Sequence, residues 1–277
     1  MEMEKMIIDE QKSVKKVFDN VWTDIGNSTY KSGLLYKIYN TVFGRFNSAR
    51  IMFRIIKNEL QIPYYNNIIL EPGCGGGQVS ELLSRKLQLQ QDLLDISPKA
   101  IEICQSRYIQ DTPYGKTNFI IGSMFDILET DKKYSLVWNE GVLEHFSKEK
   151  QVQALNEFAR VLKDNGKIIV IIPNKKSLPY LLGMSKGKKQ STWEFGYEQP
   201  ETTLQHIVDK CDNLELEREY SRGFISQLGF YRYYFMKNKF LFFLFQLIFS
   251  MINLIFFPLN ILPGYYLISV IKKKCEK

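Results

Sequence analysis

Ile68-Ile69-Leu70-Glu71-Pro72-Gly73-Cys74-Gly75-Gly76-Gly77 decides the reading of this chain, because an apolar run ends in a carboxylate and then in glycines at alternate positions. An apolar run bounded by such a glycine cluster reads as a buried β-strand. Glycine adopts positive φ without strain and lets a ligand touch the main chain, while the following helix offers its unpaired N–H groups. Together these form a cradle for a nucleotide-type cofactor. The dinucleotide fingerprint needs a third glycine three residues after the second. Counted from Gly73 and Gly75, that place holds Gln78; counted from Gly75 and Gly77, it holds Ser80. The spacing therefore disfavours a pyrophosphate.

Four further segments follow in order. They are Gln91 to Ser97, Phe119 to Asp126, Tyr134 to Phe146, and Ala159 to Lys167 with the apolar run Ile168 to Ile172. In this order and register, residues 60 to 175 resemble the class I S-adenosylmethionine-dependent methyltransferases, of the small-molecule or lipid type. The resemblance implies a Rossmann-like α/β fold with a seven-stranded, mostly parallel sheet whose last strand is antiparallel. It implies S-adenosylmethionine as cofactor, cradled by Gly73, Cys74, Gly75 and Gly77 with Glu71 near the methionine amino end. Asp95, with Ile96 beside it, takes the ribose position, where a carboxylate accepts two charge-assisted hydrogen bonds from a diol. Ser123 and Met124 fall in the adenine loop, where the family often has Asp in place of Ser123. Asn139 falls at the end of the fourth strand, facing the methyl group.

Methyl transfer from a sulfonium is an in-line displacement, so the protein chiefly holds the acceptor against the methyl carbon in a water-poor pocket. A hydroxyl acceptor benefits from a base. His145, just after the fourth strand, is the candidate, with a loop-orienting role as its structural alternative. His206 falls on a helical stretch and reads as structural. Some ubiquinone-pathway O-methyltransferases carry Glu-x-x-Glu-His at this place and bind a divalent ion. Here position 141 is glycine and Glu140 lies one residue further back, so no metal site is expected.

Outside the motifs, residues 1–60 read as a helical lid ahead of a methyltransferase domain at 61–277, with Val14, Val17, Phe18, Val21 and Trp22 recurring at helical spacing. Residues 175–200 read as a basic, glycine-containing substrate loop that ends in the aromatic-acidic turn Trp193 to Glu198. The helix from Lys148 to Lys163 is expected to bury Val152, Leu155, Ala159 and Leu162, with Gly166 ending it. Leu214 to Tyr220 and Tyr265 to Ile271 read as strands six and seven.

Between those strands lies a hydrophobic insertion at 228–263. No charged residue occurs from Phe240 to Ile271, and Pro258 and Pro263 break the run. A true span would strand the seventh strand beyond the bilayer, so a helix lying in the membrane interface through 240–262 is preferred. A wall for a greasy pocket or a dimer interface is compatible with it.

The net charge of +7 and pI near 9.0 favour anionic partners, although a solvated basic surface explains them as well. Basic residues are not interleaved with aromatics, and no Asn-Pro-Pro-Tyr motif follows the fourth strand, so nucleic acid is excluded. Cys74, Cys104, Cys211 and Cys275 are widely spaced, which reads as reduced thiols in a cytoplasmic protein, peripheral on the inner face of a membrane if the apolar run meets lipid. The charged start Met1 to Lys5 has no apolar core behind it and does not read as a signal peptide. The function expected is methyl transfer to a hydrophobic or lipid-linked small molecule. The alternatives are a soluble natural-product or sugar methyltransferase, and a binding protein that kept the fold without turnover.

Overall fold

The computed structural model of the protein describes residues 12–23, 48–108 and 115–274. Seven strands form one sheet: β1 (Ile68–Pro72), β2 (Gln90–Asp95), β3 (Thr117–Ile121), β4 (Tyr134–Glu140), β5 (Leu162–Pro173), β6 (Leu214–Arg222) and β7 (Tyr266–Lys273). Their spatial order is β3-β2-β1-β4-β5-β7-β6. β1 to β5 run parallel, and β7 is antiparallel to both β5 and β6. The strand order reverses between β1 and β4, so the crevice beyond their carboxyl ends is the place where such sheets bind ligands. The glycine cluster sits there.

Short unbroken apolar runs make these strands because both sheet faces are covered. Ile69, Leu136, Trp138, Ile169 and Ile171 point to one core layer, and Leu70, Val137, Ile168 and Val170 to the other. The first layer is closed by α2 (Ser48–Glu59) through Met52 and Ile56 and by α3 (Gln78–Leu87) through Val79 and Leu83. α4 (Pro98–Arg107) begins as its sequence predicts, with Pro98 in the first turn and Ser97 Oγ accepting from Ala100 N at 3.3 Å.

Several elements differ from the sequence reading. α5 (Lys148–Val161) buries Ala154, Leu155, Phe158 and Val161; of the expected face Leu155 is buried, Leu162 is buried as the first residue of β5, and Val152 and Ala159 pack half-buried at the edge of the same core. Gly166 does not end that helix. Leu162 already pairs with Tyr134, and the next β4–β5 pair is Leu136 with Lys167, so Lys163 to Gly166 bulge out of the ladder. Residues Leu178–Lys189, expected as loop, form helix α6, with a proline in its first turn.

The glycines of α6 that suggested a loop are close-packing notches. A Cβ on Gly183 would lie 2.6 Å from the Phe230 carbonyl oxygen, and one on Gly187 would lie 3.0 Å from both Trp193 and Tyr233. Those partners include the 3-10 segment Ser226–Tyr234. A short helix α7 (Gln205–Val208) carries the exposed His206. The apolar insertion forms α8 (Lys239–Phe256), capped by Asn238 Oδ1 accepting from Phe240 N and Leu241 N, and then the 3-10 turn Phe257–Ile261. The chain returns to the sheet as β7, between β5 and β6.

At the N-terminal side, residues 12–23 form helix α1. α2 is a core helix that meets the central cavity only through Ala49. The remainder of the expected lid, 1–11 and 24–47, lies outside the described residues.

Candidate active site

The loop after β1 turns on three positive-φ glycines, Gly73 (+74°), Gly75 (+50°) and Gly77 (+62°). Its amides are pinned to the end of β2: Gly73 N and Cys74 N donate to the Leu94 carbonyl at 2.7 and 3.1 Å, and Gly75 N donates to Asp95 Oδ2 at 2.9 Å. Asp95 Oδ1 accepts from Ser97 N at 2.8 Å. One carboxylate thereby fixes both the glycine loop and the turn into α4, and each oxygen keeps a lone pair for a diol. Burial raises the Asp95 pKa, while the Ser97 and Gly75 amides oppose the rise.

Gly77 initiates α3, and a Cβ there would lie 2.2 Å from Cys104 Sγ. Glu71, buried at the end of β1, accepts from Ser80 Oγ. Burial holds its carboxyl well above the usual carboxylate range.

These groups line one end of a cavity of about 660 Å³. Of the residues expected to hold the cofactor, Glu71, Gly73, Cys74, Gly75, Gly77, Asp95, Ile96 and Met124 face it. Ser123 does not, since its Oγ accepts from Phe125 N at 3.2 Å to brace its own turn, and Gly122 and Phe125 line the cavity instead. Asn139 also stays off the lining; it lies in β4, 1% exposed, with neither side-chain polar atom hydrogen bonded.

α1 covers this end. Asp19 accepts from Ser97 Oγ, and the Trp22 ring lies over Gly75, where a Cβ would come within 2.4 Å of it. The Trp22 ring thus packs directly on the bare backbone of Gly75.

His145 stands further along the cavity, in the 3-10 turn Leu143–His145 that follows β4. Its Nδ1 lies 2.7 Å from the Tyr197 carbonyl oxygen, which places a proton on Nδ1; the Gly141 main chain also bonds the ring, and Nε2 lies 4.0 Å from Glu144 Oε1. The ring meets Phe18 of α1 edge-on at 4.9 Å. Burial lowers its pKa, while the Tyr197 and Gly141 main-chain bonds oppose the fall.

Beside it, Glu198 accepts from Tyr180 OH at 3.1 Å and is pushed up to about 7 by burial. Glu144 is raised by burial and by Glu198, and its Oε2 has no hydrogen-bond partner. Donor atoms of Glu144, His145 and Glu198 lie within 4.8 Å of one another, a spacing able to hold a cation. Its third member comes from the loop after α6 and not from position 141, which is why local spacing did not reveal it. Phe195, Phe230, Tyr265 and Phe249 complete the far wall. The Trp193 to Glu198 run and the insertion at 228–263, which supplies Phe230 and Phe249, signal themselves in the sequence, the second as a candidate pocket wall; Tyr265 reads there only as the start of strand seven.

Residues 69–166 match the family described as "Methyltransferase domain". Over 186 residues the chain is 27% identical to the mitochondrial methyltransferase OMS1 of Saccharomyces cerevisiae, covering 61% of this chain. It spans 39% of that relative's length. Magnesium protoporphyrin IX methyltransferase from Synechocystis PCC 6803, solved with bound SAH, matches with a TM-score of 0.61 at 15% identity, covering 96% of this chain and 100% of that one. Geranyl diphosphate C-methyltransferase from Streptomyces coelicolor A3(2), solved with Mg2+, geranyl diphosphate and S-adenosyl-L-homocysteine, matches with a TM-score of 0.54 at 13% identity, covering 81% and 79%. At these identities the two solved structures establish the fold.

Proposed function

We propose that this chain, a member of the class I S-adenosylmethionine-dependent methyltransferases, moves a methyl group onto a hydrophobic or lipid-linked small molecule at a membrane surface. The observation that carries the reading is one cavity joining the glycine cradle and Asp95 to an aromatic-walled chamber with His145 at the junction. S-adenosylmethionine supplies an electrophilic methyl group when bound. Backbone of Gly73 to Gly77 and the carboxylates of Glu71 and Asp95 would hold it, Asp95 being oriented by the bonds it accepts from Gly75 N and Ser97 N. α1 acts as a lid: Trp22 and Phe18 exclude water, which strengthens every polar contact inside.

Phe195, Phe230 and Tyr265 suit an apolar acceptor body, and His145, lining the same cavity, suits proton removal from the acceptor. The porphyrin and geranyl diphosphate handled by the two solved relatives are likewise apolar scaffolds with polar handles. The location follows from the substrate reading: peripheral to a membrane rather than free in solution.

The test is calorimetric titration of the full chain with S-adenosylhomocysteine. Wild type is expected to bind, Asp95→Ala to lose about tenfold or more in affinity through its charge-assisted contacts, and His145→Ala to bind unchanged while losing turnover. Well-folded wild type that gives no heat with this compound refutes the reading.

A further inference from the structure

The cavity has two chemically different ends. Glu144, His145 and Glu198 supply polar groups near the glycine cradle, while the opposite wall is built from Gly229 and Phe230 of the 3-10 segment and Phe249 and Asn253 of α8. The inner face of α8 is therefore cavity wall. Its outer face presents Phe240 (71% exposed), Phe243 (65%), Leu247, Ile248, Met251 and Ile255 (62%) with no protein against them among the described residues. Soluble proteins rarely leave so large a contiguous apolar patch uncovered.

By length and composition α8 could cross a bilayer. Its attachments rule for a different orientation. Asn260, just past its C-terminal end, accepts from Ile225 N and Ser226 N at 3.0 and 2.9 Å, in the stretch that precedes its N-terminal end. Phe235, Phe245 and Phe249 stack in a ladder with centroids 5.2 and 5.9 Å apart, fixing the flank of α8 to the same body. Directly afterwards the chain rejoins the sheet as β7. A helix held at both ends and along one side by a single body lies along a bilayer surface and does not pass through it.

Charge identifies the surface. No acidic residue occurs between Glu219 and Glu276, whereas Arg222, Arg232, Lys237 and Lys239 do; Lys272 to Lys274 lie at the far end of β7, where Lys272 pairs with Glu215 and Lys273 with Asp164. Lys186 of α6 lies 5.3 Å over the Tyr234 ring, bringing the lysine-rich end of α6 beside the start of α8. An apolar helix face bordered by cations matches an anionic lipid surface.

We propose that α8 lies in the plane of an anionic bilayer and that the methyl acceptor is a membrane amphiphile reaching the cavity sideways from it. The polar head sits beside Glu144, His145 and Glu198, and the apolar tail enters at the seam between Phe249 of α8 and the 3-10 segment. Gly229 and Phe249 are in contact there, a Cβ on Gly229 lying 3.1 Å from Phe249 Cζ, so the tail enters when the Phe249 ring swings aside, and a larger residue at 229 fills the opening. The nature of the head's reaction rests on the methyltransferase reading; the docking of α8 does not.

The experiment uses the full chain with vesicles of equal parts phosphatidylcholine and phosphatidylglycerol, doped with a phosphatidylcholine that carries a diazirine at the end of one acyl chain. After sedimentation and irradiation, labelled peptides are mapped by mass spectrometry. Wild type is expected to sediment, with binding about tenfold weaker to phosphatidylcholine alone or in high salt. Label is expected on the outer face of α8 and also on Phe230 or Phe249.

The triple variant Phe243→Glu, Ile248→Glu, Ile255→Glu is expected to lose about tenfold or more in partitioning with unchanged S-adenosylhomocysteine affinity. Gly229→Val should keep vesicle binding and lose the inner label. Wild type that stays in the supernatant, or a soluble dimer that protects α8 from the triple substitution's effect, overturns the proposal. Label confined to the outer face overturns the sideways route. Calorimetry separates the two readings: vesicle binding without cofactor binding sinks the methyltransferase assignment, and the reverse sinks only the docking.

Discussion

Replacing Gly77 by alanine separates the backbone demand of the cofactor loop from its packing demand. The residue sits at φ +62°, and the added Cβ would lie 2.2 Å from Cys104 Sγ, 3.4 Å from Cys104 Cβ and 3.8 Å from its Cα. The left-handed backbone costs an L-residue about 1–2 kcal/mol. Forcing a methyl group against a buried sulfur costs about 1–3 kcal/mol more, so Gly77→Ala alone should destabilise by about 2–5 kcal/mol. Cys104→Ala alone removes one buried sulfur, at about 1 kcal/mol.

In the double variant the sulfur is gone and the remaining 3.4 Å contact is ordinary, leaving only the backbone cost. Urea denaturation of the four proteins should therefore show the double variant more stable than additivity predicts, by about 1–3 kcal/mol. Calorimetry with S-adenosylhomocysteine should show affinity recovering in parallel. Additive effects, within about 0.5 kcal/mol, would mean that the Cys104 sulfur does not set the shape of the loop.

Three other outcomes follow from the same geometry. Glu71 has its pKa raised by burial, so the folded state binds its proton more tightly than the unfolded chain does; stability conferred by the proton is lost as pH rises above the ordinary glutamate range. Glu71→Gln should consequently raise the melting temperature of the ligand-free protein at pH 7, by about 2 °C per kcal/mol in a chain of this size, while weakening cofactor binding; a drop in melting temperature contradicts this. Because burial depresses the His145 pKa, the rate should be level through neutral pH and fall only on the acid side of the ordinary histidine range, and His145→Gln should abolish that acid limb. Gly183→Ala would normally stabilise a helix by about 1 kcal/mol, yet the Phe230 backbone 2.6 Å from the new Cβ should reverse the sign; a urea midpoint above wild type argues against close contact between α6 and the 3-10 segment.

Local chemistry accounts for what the sequence by itself determined. Strand-length apolar runs, the alternate glycines from Gly73 to Gly77, the carboxylate at Asp95 and the Ser97-Pro98 helix start each express a backbone requirement within a few residues. They located the sheet and its antiparallel seventh strand, whereas the strand order that puts β1 beside β4 was visible only in the fold.

Tertiary structure decided everything that depends on elements far apart in the chain. Gly183 and Gly187 look like loop glycines until a neighbouring segment presses on their helix. Ser123 reads as an adenine contact until its hydroxyl turns to its own backbone. Glu198 joins Glu144 and His145 from more than fifty residues away, and Phe230 and Phe249 become one wall only because the insertion folds back on itself. Side-chain periodicity reports which face of an element is apolar. It carries no information about which other element that face will meet, because that choice is made by the shape of the whole packed chain.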